Sequence, residues 1–231
     1  MSGAFQPQCI EISPNSAQCR AMNTSWKAIW LAAAGTMCVA VPADAQKNPS
    51  TGDRTLTVLV SDYAGLPDSS KIELETLGAA LLSHAGIRTQ WVHCGGDQQG
   101  PRPALCDANL ETGMVLIRIL DARPGNQKRL VDPLGAAVLE NGYASLYVSE
   151  IRKHADHNGL AAGSLMAYAA THEIGHLLLG PNHASSGIMR GVWGKTEYRA
   201  MAQRWLGFSE AERQALRQAV PAPEQRLASR R

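Results

Sequence analysis

The chain has 231 residues, of which 45% are hydrophobic and 18% are charged, and its formal net charge is +2. This length allows one domain with a well-buried core, and the composition is ordinary for a globular protein. The small, scattered positive charge excludes the strongly basic class of nucleic-acid-binding proteins, so no nucleic-acid partner is expected.

The N-terminal region carries a pattern typical of export. Residues 28–41 form an apolar run of fourteen residues, which is short for a membrane span. A mildly basic start at 22–27 precedes this run, and small residues at 43–45 follow it. Together these features predict a secretory signal peptide over 22–45, hence a secreted or periplasmic protein without a membrane span after cleavage. The alternative is an uncleaved membrane anchor.

This pattern divides the chain into five predicted segments. They are an over-called N-terminal extension at 1–21, the signal peptide at 22–45, a linker at 46–53, a single folded domain at 54–221 and a loose tail at 222–231.

Hydrophobic periodicity predicts the elements of the folded domain. In chain order they are a strand at 54–61, a helix that begins at 68–70 and ends at Gly86, strands at 87–93 and 114–120, a hairpin of strands at 135–139 and 143–149, a polar loop at 150–159, a long apolar helix at 160–179, and helices at 196–206 and 209–221. We therefore predict an α+β fold, in which a mixed, mostly parallel sheet of about five strands packs on two long helices and a helical C-terminal part follows.

Two of the five cysteines, Cys94 and Cys106, lie in the predicted mature chain. A lone pair of cysteines in an exported protein favours a disulfide. The bridge would close a loop rich in glycine and proline and contribute about 2–3 kcal/mol to stability. The alternative is two free thiols.

A histidine-rich stretch, THEIGHLLLGPNHASSGIM, spans residues 171–189. His172 and His176 are four positions apart on the predicted helix, so they share one face and both can reach one zinc ion. Glu173 is adjacent, where a carboxylate can take a proton from water at the metal. His183, beyond the predicted helix end, is the candidate third ligand that a catalytic zinc site needs. The alternative is a buried helix that carries two core histidines.

This stretch resembles the signature of the metzincin group of zinc endopeptidases, H-E-x-x-H-x-x-G-x-x-H followed by a methionine turn. The matching residues are His172, Glu173, His176, Gly180, His183 and Met189. The resemblance covers about residues 54–193 and implies a zincin architecture, with the edge strand at 135–139 along a substrate cleft. It also implies Zn²⁺ as the cofactor, Glu173 as the general base and Met189 as a hydrophobic floor below the metal.

The chain departs from the signature at one point. Gly180 follows His176 by four residues instead of three, and His183 follows it by seven instead of six. A turn can absorb one extra residue, and His183 remains the expected third ligand. Glu197, on the following predicted helix, is the alternative ligand.

Several other side chains are weaker candidates. His154 and His157 are expected to be exposed, with a role beside the cleft or at a second metal as the alternative. Trp193 is expected either to line the substrate pocket or to pack in the core. Four tyrosines are candidate donors to the transition state, and the sequence does not choose among them: Tyr143, Tyr147, Tyr168 and Tyr198.

The sequence thus predicts an exported zinc metalloendopeptidase that acts on peptides or proteins. The alternative is an exported zinc-binding or structural protein with the same fold and no peptidase activity. Neither the substrate nor the oligomeric state is predicted.

Overall fold

The computed structural model describes residues 54–95, 102–124 and 133–222. The predicted extension, signal peptide and linker lie outside the described residues, as does all of the predicted tail except Ala222.

A five-stranded sheet forms one layer of the domain. Its strands are β1 (Thr55–Asp62), β2 (Arg88–His93), β3 (Met114–Leu120), β4 (Gly135–Val138) and β5 (Tyr143–Tyr147). Their order across the sheet is β2-β1-β3-β5-β4. The first four strands in this order pair in parallel, and only β4, at the edge, runs antiparallel to its neighbour β5.

Helices make up the rest of the regular structure. They are α1 (Asp68–His84), α2 (Val148–Asn158), α3 (Ala162–Leu179), α4 (Lys195–Ala202) and α5 (Glu210–Ala219). The two long helices, α1 and α3, pack against each other and against the sheet. Gly163 allows this close approach, because a Cβ at this position would overlap Glu73 of α1. The predicted fold class, a mostly parallel sheet on two long helices with a helical C-terminal part, is confirmed.

The core lies between the sheet and these helices. Along β3, residues Val115, Ile117 and Ile119 are buried, whereas the alternating residues are half-exposed. This alternation follows from the two-residue period of a strand, which turns successive side chains to opposite faces. The middle of α3 is buried on nearly all sides, so the histidine-bearing helix is itself a core element.

The predicted polar loop at 150–159 is wrong, because residues 150–158 belong to α2. Val148, Ile151 and Ala155 are buried at helical spacing, and the polar residues between them face outwards. Gly159 ends the helix with a φ of 65°, a backbone conformation that glycine adopts without strain. The strand β5 consequently stops at Tyr147, and α2 follows without an intervening loop.

Two further expectations concern covalent and membrane features. Cys94 and Cys106 form a disulfide, with their Cα atoms 5.2 Å apart, so the predicted bridge is confirmed. In the described part of the chain, no helix has both the length and the apolar character that crossing a bilayer requires.

Candidate metal centre and cleft

Helix α3 carries two of the three predicted metal-binding histidines. His172 and His176 lie one turn apart, with their rings 4.6 Å apart between centroids. The helix ends at Gly180, whose φ of 94° and ψ of −173° leave the helical region, while its N–H still donates to the carbonyl of His176. The chain therefore turns back over the last turn of α3, which brings His183 above the same face.

The Nε2 atoms of these three histidines converge. The Nε2 atom of His176 lies 3.0 Å from that of His172 and 3.2 Å from that of His183. One nitrogen from each ring lies within 4.8 Å of the other two. Tetrahedral zinc with Zn–N bonds of 2.0–2.1 Å separates its nitrogen ligands by roughly 3.3 Å. The spacing of the three rings therefore fits a zinc ion.

Hydrogen bonds on the far side of two rings fix which nitrogen faces the cluster. The Nδ1–H of His172 donates to the carbonyl of Ile188 at 2.7 Å, and the Nδ1–H of His176 donates to the carbonyl of Gly180 at 3.0 Å. In a neutral imidazole the proton on Nδ1 leaves a lone pair on Nε2. Burial lowers the pKa of His172 to about 4, which keeps that ring neutral. The Nε2 lone pairs of His172 and His176 thus point at each other, an arrangement that a bound cation stabilises.

Two glycines make room for the cluster. A Cβ at Gly191 would lie 2.9 Å from Cγ of His183, so the ring of His183 packs directly on this backbone. A Cβ at Gly175 would overlap the thioether of Met189, which lies against α3 between the two histidines. The N–H of Ala184 also donates to the carbonyl of Met189 at 2.8 Å, which joins the His183 segment to the methionine turn.

The side chain of Glu173, on α3, points towards the edge strand β4. A Cβ at Gly135 would approach its side chain to 2.9 Å, and the N–H of Ala137 donates to its carboxylate. Burial raises the pKa of Glu173 to about 8, and the hydrogen bond from Ala137 opposes this rise only in part. A cation on the adjacent imidazoles would favour the ionised form.

The cluster opens into a cleft of about 380 Å³. Strand β4 forms one wall, with Leu139 at its end, and Val192 and Trp193 form part of the other. Trp193 meets His172 edge-on at 5.5 Å and donates its indole N–H to the carbonyl of Ile188 at 3.2 Å. Trp193 therefore lines the cleft, which is one of the two roles expected for it from the sequence.

Glu197, the alternative third ligand, lies outside the histidine cluster. Its Oε1 accepts a hydrogen bond from Arg190 at 2.6 Å, and its Oε2 accepts one from the N–H of Gly194 at 2.8 Å. Burial alone would raise the pKa of Glu197, but the bonds from Gly194 and Arg190 outweigh it and hold the pKa below its ordinary value. Glu197 thus caps α4 and anchors the segment after the methionine turn.

The remaining candidates divide between the cleft and other surfaces. His154 and Tyr198 line the cleft, so the expectation that His154 is simply exposed is wrong, whereas His157 is exposed. Tyr143, Tyr147 and Tyr168 do not line this cleft. Gly135, Gly175 and Gly191 were not foreseen as contributors. The one sequence signal for them was Gly175, a glycine inside a helical pattern, which indicates close packing.

The sequence matches no protein-family model and no curated protein. It is similar in structure to a zinc-dependent peptidase from Methanocorpusculum labreanum, with 14% identity, a TM-score of 0.44, and coverage of 69% of this chain and 99% of that one. It is also similar to an archaemetzincin from Methanopyrus kandleri, with 13% identity, a TM-score of 0.46, and coverage of 74% and 97% respectively. Both likenesses are distant.

Proposed function

We propose that this chain is an exported zinc metalloendopeptidase, with His172, His176 and His183 as the zinc ligands. The observation that best supports this proposal is the convergence of three imidazole Nε2 atoms beside a buried carboxylate, Glu173, in an open cleft. Imidazole nitrogens suit zinc, and three protein ligands leave one coordination position free for chemistry.

The residues present divide the work of peptide hydrolysis among them. Zinc in this site would polarise the scissile carbonyl and make water more acidic. Glu173 would accept a proton from the attacking water and return it to the leaving amine. Its position between β4 and the imidazoles keeps the carboxylate next to both the substrate wall and the metal site. Met189, packed on Gly175, supports the two helical histidines from below.

The edge strand β4 offers a binding surface for an extended peptide. The carbonyl of Leu134 accepts a hydrogen bond from the N–H of Tyr147, and the register pairs Ala136 with Ser145. Since hydrogen-bonded positions alternate in an antiparallel pair, Gly135 and Ala137 turn their backbone groups away from β5. A substrate strand could pair along the cleft with the backbone groups of Gly135 and the carbonyl of Ala137, whereas the N–H of Ala137 is already bonded to Glu173.

Export is part of the proposal. The disulfide between Cys94 and Cys106 supports it, because such bonds persist mainly in oxidising compartments. The apolar run and small-residue site of the N-terminal region support it independently.

Metal analysis combined with a cleavage assay tests the proposal. The purified mature chain should hold about one zinc per molecule, and its cleavage of casein should stop on addition of a chelator and return with zinc. Glu173→Gln should keep the zinc and lose about 10²–10⁴-fold in kcat, whereas Glu140→Gln, an exposed control, should match wild type. Bound zinc without cleavage would favour the alternative, a zinc-binding protein without peptidase activity. Full activity in Glu173→Gln would contradict the role of this carboxylate.

A further inference from the structure

The cleft extends beyond the metal site to a pair of hydrogen-bonded side chains. His154 of α2 and Tyr198 of α4 both line the cleft, and Nδ1 of His154 lies 3.0 Å from the hydroxyl of Tyr198. Neither residue belongs to the histidine cluster or to the proposed chemistry. The two side chains therefore form a polar part of the cleft wall.

Helix α3 shows where this polar wall lies. Ala169 also lines the cleft, and it precedes Glu173 by four residues, or about one helical turn of 5.4 Å. The cleft therefore continues about one turn along α3 past the general base. A small side chain at position 169 leaves this space open between α2, α3 and α4.

The hydrogen bond between the pair uses one ring nitrogen of His154 and leaves the other, Nε2, without a partner among the described residues. Tyr198 is 9% exposed, and burial raises the pKa of its phenol, so the hydroxyl keeps its proton. A phenol hydroxyl is a stronger donor than an imidazole N–H, and a ring nitrogen is a stronger acceptor than a phenol oxygen. The bond between the two side chains is therefore best made with Tyr198 donating to Nδ1 of His154. In this arrangement the N–H of the ring is on Nε2. No described residue accepts a hydrogen bond from this N–H.

We propose that this end of the cleft binds a substrate side chain that ends in a hydrogen-bond acceptor, namely glutamine or glutamate. His154 is the specificity-determining residue, because its Nε2–H donates to the acceptor oxygen. Tyr198 is a positioning residue that holds the ring of His154. This proposal rests on the proposed peptidase function.

The length and chemistry of the pocket support this choice. A side chain must reach about one helical turn past Glu173, which favours glutamine and glutamate over asparagine and aspartate. Ala169 offers apolar contact to the methylene groups on the way. Lysine and arginine carry only donors at their tips, so they cannot satisfy the N–H of His154.

Matched peptides test this specificity. The peptides would be identical except at one residue flanking the cleaved bond, which would be glutamine, glutamate or methionine, the last being apolar and of similar length. Wild type should cleave the best acceptor peptide with a kcat/KM at least about tenfold above that of the methionine peptide, because a site that donates a hydrogen bond to its substrate discriminates against a side chain that cannot accept it. His154→Leu should bring this ratio close to one.

Three further variants separate recognition from folding. His154→Gln keeps an amide donor and should retain several-fold discrimination, whereas Tyr198→Phe should reduce the ratio by loosening the His154 ring. His157→Leu, on the exposed face of the same helix, should leave it unchanged. A ratio near one in wild type, or an unchanged ratio in a folded His154→Leu chain, would overturn the proposal.

Binding without turnover keeps this test independent of peptidase activity. Two peptide hydroxamates, one with a carboxamide-ended and one with a thioether-ended side chain, would be titrated into the zinc-loaded protein. Preference for the carboxamide, lost in His154→Leu, supports the pocket even if no peptide is cleaved, in which case only the proposed function fails. Equal affinity for the two would overturn the pocket, while chelator-sensitive cleavage would leave the peptidase function standing.

Discussion

The thioether of Met189 lies against Gly175 of α3, in the space that a side chain at position 175 would occupy. Gly175 sits between Ile174 and His176 within the helix, where alanine would otherwise be the favoured residue. The methionine turn can therefore approach the helix only because this position carries no side chain.

Gly175→Ala should destabilise the chain and disturb the metal centre. Overpacking a well-packed core typically costs about 1–3 kcal/mol, and displacement of Met189 should weaken zinc binding through the segment that carries His183. Gly207→Ala is the matched control, because nothing lies within 4 Å of a Cβ at that position. Denaturant unfolding and zinc titration measure the two effects. Equal stability of the two variants would contradict the close packing.

His183→Ala should weaken zinc binding strongly without unfolding the protein, since His183 is exposed. Losing a hydrogen-bond partner of a ligand costs about 10–100-fold in metal affinity, and we expect the loss of the ligand itself to reach at least the upper value. Competition with a chromophoric chelator measures the affinity. His157→Ala, which removes an exposed imidazole elsewhere, should have no effect. Undiminished affinity in His183→Ala would remove this residue from the ligand set.

Glu197 should make stability depend on pH in the acid range. Because its folded-state pKa lies below the ordinary value, its ionised form stabilises the folded chain. This contribution is fully present above the unfolded-state pKa of about 4.3 and is lost as the pH falls through the lower folded-state pKa. The stability advantage of wild type over Glu197→Gln should therefore be constant above about pH 5 and shrink below about pH 4.

Urea unfolding at a series of pH values measures this advantage. Glu140→Gln, at an exposed glutamate, should differ from wild type by an amount that stays nearly constant with pH. A pH-independent difference for Glu197→Gln would mean that its bonds to Arg190 and Gly194 contribute little to the pKa.

Removal of the disulfide should lower the free energy of unfolding. The bridge joins residues twelve positions apart, and closing a loop of that length in the unfolded chain contributes about 3 kcal/mol. The double variant Cys94→Ala/Cys106→Ala should show this loss, and reductant should lower the stability of wild type but not of the variant. Equal stability of wild type with and without reductant would indicate that the bridge does not constrain the unfolded chain.

Much of the fold follows from local patterns. In β1, β2 and β3, apolar residues either alternate with polar ones or follow each other directly, and in α3 apolar residues recur at helical spacing over its whole length. Both kinds of element were therefore predictable. Helix α2 was missed because its apolar residues are few and two of them flank charged residues. Its buried positions Val148, Ile151 and Ala155 nevertheless follow a helical period, and Gly159 supplies a stop signal.

The site shows a different limit. The approach of His172, His176 and Glu173 depends on spacing within one helix, which the sequence displays directly. Glu197 pairs with Arg190 through a tertiary contact. The sequence cannot distinguish a glutamate that binds a metal from one that pairs with a guanidinium. The place of His154 beside Tyr198 depends in the same way on how α2 and α4 pack.

The position at which α3 stops has a wider consequence. The helix continues one residue further than the usual signature allows, and Gly180 then reverses the chain steeply enough for His183 to return to the same point. The metal site requires that the three imidazole rings meet at one point. The number of residues between the second and third histidine can therefore change, provided that the turn between them changes as well. A search pattern that requires the third histidine six residues after the second would miss chains of this kind. A pattern that allows six or seven residues would retain them.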